Sequence, residues 1–200
     1  MKKYYYTAGI VGTAVNFLLF IIKLYIGNAA FSLTIYCDAV NNLGDTFSCL
    51  IALAGFVLAV KLGGRRSLRT QSVAAFVISI IIAMTGFFFV YRGLDRLMYP
   101  AAVLYTPKYA ALITATIFVK LGLGFLFLHL NKKSPSVIIK ALALDSFLDC
   151  FITLFTLMSM VLITKVNFAF DAYFAFICGT AITVEAVRCI IKEAKFLIND

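Results

Sequence analysis

Residues 32–59, SLTIYCDAVNNLGDTFSCLIALAGFVLA, and residues 140–162, KALALDSFLDCFITLFTLMSMVL, decide how this chain is read. Each is an apolar segment interrupted by a polar helical turn, Asn41-x-x-x-Asp45 in the first and Asp145-x-x-x-Asp149 in the second. Residues four apart lie on one face of a helix, one above the other. A carboxylate in hydrocarbon costs about 3 kcal/mol on insertion scales and more in simulations. That cost persists only where the group is paired, protonated or bound to a cation. Three carboxylates and an amide stand here with no evident partner of opposite charge beside them. Such a make-up fits a mid-membrane site for a hard cation.

The rest of the chain agrees with a membrane setting. It has 200 residues, 63% of them hydrophobic, and a mean hydropathy of +1.01, more apolar surface than a soluble protein of this length could hide. About 20 apolar residues cross a bilayer as a helix. Six segments qualify, at about 8–29, 31–60, 73–98, 108–131, 136–164 and 169–194. The expected fold is therefore an all-α membrane protein of six transmembrane helices, one domain over residues 1–200 with no cytoplasmic domain. The first segment follows Lys2 and Lys3 as a signal peptide would. Its apolar run is too long for one, it holds Asn16 and Lys23, and no convincing cleavage site follows, so it reads as a retained helix.

The net charge of +9 suggests nucleic acid in a soluble protein, but here it reads as topology. With the N-terminus in the cytoplasm, Lys2, Lys3, Lys61, Arg65, Arg66, Arg69, Lys132, Lys133, Lys192 and Lys195 all fall inside. The other side receives mainly Arg96, Lys108 and Lys165, with Arg92 near the end of the third helix. That is the positive-inside asymmetry, and six spans make both termini cytoplasmic. The expected location is the plasma membrane, with the lipid bilayer and no nucleic acid as partner.

Connections are short. A turn follows Gly27 at residues 28–32, residues 63–67 form a basic loop with two glycines, and residues 99–107 form the longest external connection. Ser134 and Pro135 read as the cap and first residue of the fifth helix, and residues 165–167 as the last turn. Aligning Asp45 with Asp149 also pairs Leu43 with Phe147, Phe47 with Phe151, Leu50 with Leu154 and Leu53 with Leu157. Two three-helix halves related in this way run in opposite senses, and inverted halves with a site at their interface are a recurring transporter design. Depth supports that site. At about 1.5 Å per residue from Phe31, Asn41 and Asp45 lie roughly 15 and 21 Å in, and Asp145 and Asp149 reach similar depths from Pro135.

The oxygen ligands of such a site suit manganese, magnesium, calcium and ferrous iron, whereas imidazole and thiolate suit zinc. The competing reading is structural ion pairing, with Lys23, Arg92, Lys120 and Lys140 as possible partners. Lys140 is off the face of Asp145, Lys23 and Arg92 lie nearer the external boundary, and Lys120 is deep enough to pair with an acid. Asp38 shares the face of Asn41 and Asp45 and could be an accessory entry ligand, a proton acceptor or a helix-packing partner. Asn42 points away and is expected to bond a neighbouring helix. His129 reads as interfacial. Cys37, Cys49, Cys150, Cys178 and Cys189 all fall inside expected helices and form no Cys-x-x-Cys pair, which argues against a disulfide framework. Cys49, four residues after Asp45, either packs as a small apolar residue or offers a soft thiolate for zinc or cadmium. Three crowded carboxylates cannot all ionise without a cation, so an empty site holds protons that an entering metal expels. Metal movement one way is thereby coupled to proton movement the other way.

The stretches GIVGTAVNFLLFIIKLYIG and SLTIYCDAVNNLGDTFSCLIALAGFVLA closely resemble helices one and two of the cation diffusion facilitator (CDF) family, and ALALDSFLDCFITLFTLMSM resembles its helix five. The resemblance runs from about residue 8 to the end of the chain. It implies the CDF transmembrane fold and a transport site at Asn41, Asp45, Asp145 and Asp149. Asn and Asp throughout resemble the manganese-type members, whereas His in these positions is typical of zinc transporters. The family's usual cytoplasmic ferredoxin-like domain has no counterpart here, and the loop KLGGRRSLRTQ lacks the family's His-rich motif. The expected function is divalent cation efflux by proton antiport, with manganese favoured and zinc or iron as alternatives. No cofactor is expected beyond the transported ion. The other reading is a non-transporting CDF-like subunit that senses metal or assists assembly. An enzyme is not expected, since no nucleophile, base and orienting group converge. A homodimer is expected through the third helix, FVISIIIAMTGFFFVY, with the sixth helix around Gly179 second.

Overall fold

In hydrocarbon no water satisfies backbone N–H and C=O groups, so apolar runs of this length close their hydrogen bonds within themselves as helices. The computed structural model describes residues 2–62, 64–99, 103–133, 137–162 and 170–199. They form six helices: α1 Lys2–Ala30, α2 Leu33–Leu62, α3 Gly64–Met98, α4 Pro107–Lys133, α5 Val137–Leu162 and α6 Phe170–Asn199. No strand occurs among the described residues. Five stretches are long and apolar enough to cross a membrane, Tyr4–Ala30, Ala75–Met98, Pro107–Lys133, Leu142–Leu162 and Phe170–Ile198. The described part of α2 falls short because it carries Asp38, Asn41, Asn42, Asp45, Thr46 and Ser48. It is also the central helix, packed on α1, α3, α5 and α6, and of these polar residues only Ser48 is exposed.

Helix pairing follows the internal repeat. α1 lies against α2 as α4 lies against α5, and α3 and α6 pair with each other across the halves. Two apolar clusters flank the middle of the α1/α2/α4/α5 group. Ala8, Leu123, Phe127, Leu130, Ile139 and Ala143 pack near the end that bears the chain's N-terminus. Ile26, Ala30, Ile35, Ile113 and Met160 pack towards the opposite end. The polar residues of α2 and α5 lie between them.

The α3/α6 contact is a backbone contact. A Cβ at Gly179 would stand 2.8 Å from the Val90 nitrogen, one at Gly86 2.5 Å from Thr183 Oγ1, and one at Gly93 3.0 Å from the Phe176 nitrogen. Small residues allow this approach, and packing of this kind drives helix association in lipid. It corrects one expectation: the α6 surface around Gly179 is occupied by α3 of the same chain and is not free for a second copy.

Connections depart from the sequence reading in places. α3 already includes Arg65, Arg66 and Ser67, which were expected in a loop, because only the glycines at 63 and 64 there disfavour helix. α1 and α6 likewise overrun their expected spans, beginning at Lys2 and ending at Asn199. The turn after α1 closes with Ser32 N–H on Gly27 C=O at 3.1 Å and Phe31 N–H on Asn28 C=O at 3.3 Å. Phe31 adopts the left-handed conformation, φ 54°, that this C-terminal motif demands. Leu104 N–H bonds Ala30 C=O at 2.9 Å, tying the connection before α4 to the end of α1. The expected cap at Ser134 and Pro135 and the turn at 165–167 lie outside the described residues.

Candidate metal centre

α2 and α5 each present two residues at i, i+4 spacing to the same place. Asp45 and Asp149 are buried, at 7% and 1% exposure, and Asp145 is half-buried. One carboxylate oxygen from each lies within 4.8 Å of the others, as in a set of ligands around one ion. Asn41 Nδ2 donates to Asp149 Oδ1, so the amide from α2 also reaches the acid from α5. The four residues singled out in the sequence therefore converge.

A fifth residue joins them from α4. Lys120, 1% exposed, donates from Nζ to Asp45 Oδ2 at 2.8 Å and also to Asp149 Oδ2. No partner of opposite charge stands beside the acids along the chain, and the structure supplies one from another helix. Lys120 was one of four possible ion-pair partners, but its choice of two acids depends on how α4 is rotated. An ammonium carries three donors on a flexible stem, so it can serve both carboxylates at once. Pairing and hydrogen bonding offset the desolvation that would otherwise oppose ions at this depth.

One turn along α2, a second polar node forms. Lys23 Nζ lies 2.7 Å from Asp38 Oδ1 and donates to Thr153 Oγ1 at 2.8 Å. Thr153 Oγ1 is also 2.9 Å from Asp149 C=O, which links this node to α5 beside the carboxylates. Lys23 itself is 0% exposed. Asp38 thus ties α1 to α2 and stands outside the carboxylate cluster. Asn42 was expected to reach a neighbouring helix. Instead its Nδ2 bonds the Asp38 backbone carbonyl of its own helix at 2.7 Å. Cys49 is buried and accepts from Asn16 Nδ2 at 3.8 Å, apart from the cluster. His129 is exposed near the end of α4.

Asp171, at the start of α6, holds the site in place from a distance and was missed in the sequence. Its carboxylate accepts from Leu33 N–H at 2.9 Å, Thr34 N–H at 3.3 Å and Ser32 Oγ. These satisfy the free donors at the start of α2, where the helix dipole favours negative charge. Arg96 of α3 lies 3.4 Å from the same carboxylate. α2 is thereby anchored to α3 and α6. No local pattern marks Asp171 as a cap, because its partners lie some 138 residues away.

The family model for the cation efflux transmembrane domain matches residues 9–198. No curated protein matches the chain significantly.

Proposed function

The chain belongs to the cation efflux family and is a metal cation transporter; from this we propose that it exports manganese in exchange for protons through Asn41, Asp45, Asp145 and Asp149. The observation that carries the reading is the convergence of three carboxylates from α2 and α5 to within 4.8 Å. Carboxylate and amide oxygens suit manganese, with ferrous iron next, and zinc would gain from imidazole or thiolate ligands that this cluster does not offer. Protons enter because like charges this close, in a low dielectric, are tolerated only when a cation or a proton compensates them. The protein is an integral membrane protein, and the proposed setting is the plasma membrane with both termini in the cytoplasm.

Purified protein in liposomes with an imposed pH gradient tests this. Manganese should accumulate on the acidic side, and the gradient should dissipate as it does. Metal flux that ignores the gradient would remove antiport from the proposal. One observation favours the second reading, a non-transporting subunit: the Lys120 ammonium already bridges two of the acids. Absence of metal-dependent flux from a well-folded, metal-binding preparation would select it.

A further inference from the structure

The carboxylate cluster contains a cation of its own. We propose that the Lys120 ammonium is a tethered occupant of the divalent-cation site, displaced by the metal on loading and restored on release. The inference rests on the proposal that these carboxylates hold the transported ion, and it adds how their affinity is set.

Geometry carries it. Lys120 bonds the Oδ2 atoms of Asp45 and Asp149, one acid from each of the two helices that form the site. An ion held by the whole cluster takes oxygens of these same two residues together with Asp145, and manganese or a similar cation binds oxygen at about 2.0–2.6 Å. Two cations cannot share that space, so loading requires the ammonium to leave. Its means of leaving is its four-carbon stem, which reaches in from α4 and can withdraw by rotamer change. The other Asp149 oxygen is also engaged, by Asn41 Nδ2. Metal entry therefore exchanges existing partners for metal ligands.

Charge matching points the same way. Once loading has expelled the carboxylate protons, three carboxylates and one ammonium carry two formal negative charges, which a divalent ion cancels if Lys120 steps aside but stays within the bundle. Without Lys120 the cluster would attract a divalent ion more strongly and release it more slowly. With it, the acids of α2 and α5 keep a counter-ion after release, and the two helices stay together. Lysine thus tunes a transporter towards turnover and away from retention.

Manganese binding to the purified full chain, measured by calorimetry at fixed pH, separates this from a fixed structural pair. Lys120→Gln keeps hydrogen-bonding capacity and removes the charge. It should bind manganese at least about tenfold tighter than wild type, since a buried competitor of like sign is gone. Lys120→Arg keeps the buried cation and fits two carboxylates with a fork that withdraws less readily. It should stay folded and bind at least about tenfold more weakly. Opposite signs for the two variants support a tethered competitor. Unchanged or weaker binding in Lys120→Gln, or wild-type binding in Lys120→Arg, overturns it. If Lys120→Gln does not fold, Lys120→Arg decides alone. Asp149→Asn is the control for the underlying reading: if wild type binds no manganese, or Asp149→Asn binds like wild type, the cation site itself is wrong.

Discussion

At the residue scale, Asp149 bears three roles together: it accepts from Lys120, accepts from Asn41 and offers an oxygen to the cluster. Asp149→Ala should abolish manganese flux and also lower the melting temperature, because Lys120 loses one of its two acids. Breaking a buried pair from one side costs about 3–5 kcal/mol. Near-normal flux in this variant would remove Asp149 from the ligand set. Asn41→His should leave more activity and move preference towards zinc, since imidazole is a softer ligand than an amide oxygen. Competition between the two metals in the same flux assay reads this directly. Proton competition has a definite sign. Under the proposed antiport, metal expels protons from the carboxylates, so apparent manganese affinity should weaken as pH falls from about 8 to about 6. A flat response would show that the carboxylates exchange no protons on loading.

At the element scale, the ends of α1 and α2 decide where the site stands. Asp171→Ala removes the acceptor for Leu33 and Thr34 N–H and the partner of Arg96. Loss of a cap costs about 1–2 kcal/mol, and a lower melting temperature in detergent with reduced flux is the expected result. Asp171 takes no part in the cluster, so the binding stoichiometry should stay as in wild type. Phe31→Gly should act in the opposite direction. Phe31 is exposed at 60% and has φ 54°, a conformation glycine adopts freely. A gain of about 1 kcal/mol is expected, read as a higher melting temperature. At the α3/α6 contact, Gly179→Leu would drive a side chain into the Val90 backbone and should prevent stable folding.

For the whole molecule, the open question of surface is α3. Its inner face is taken by α6, while Ile80, Met84, Phe87, Phe88 and Tyr91 form an exposed stripe. A homodimer through this stripe remains our proposal. It predicts that single cysteines at Ile80 or Met84, in a background without native cysteines, cross-link between copies in membranes. Cross-links confined to α1 or α4 would place the interface elsewhere. The three-pair arrangement, α1 with α2, α4 with α5 and α3 with α6, keeps α2 surrounded while α3 shows lipid a broad face. That division explains why α2 tolerates so many polar residues.

The sequence by itself determined the six helices and the four converging side chains. Both depend on local quantities: run length against bilayer thickness, and i, i+4 spacing on one helix face. Equal depth of the two motifs followed from rise per residue alone. Helix ends were less legible, since the residues after Gly64 fit helix as well as loop. Tertiary structure decided who partners whom. Lys120 meets Asp45 across 75 positions in the chain, Lys23 of α1 meets Asp38 of α2, and Asp171 caps a helix at the far end of the sequence. Each depends on the rotation of one helix against another, which steric fit at contacts such as Gly12 against Cys49 and Phe127 and Gly124 against Phe147 helps to set and no spacing within a single helix encodes.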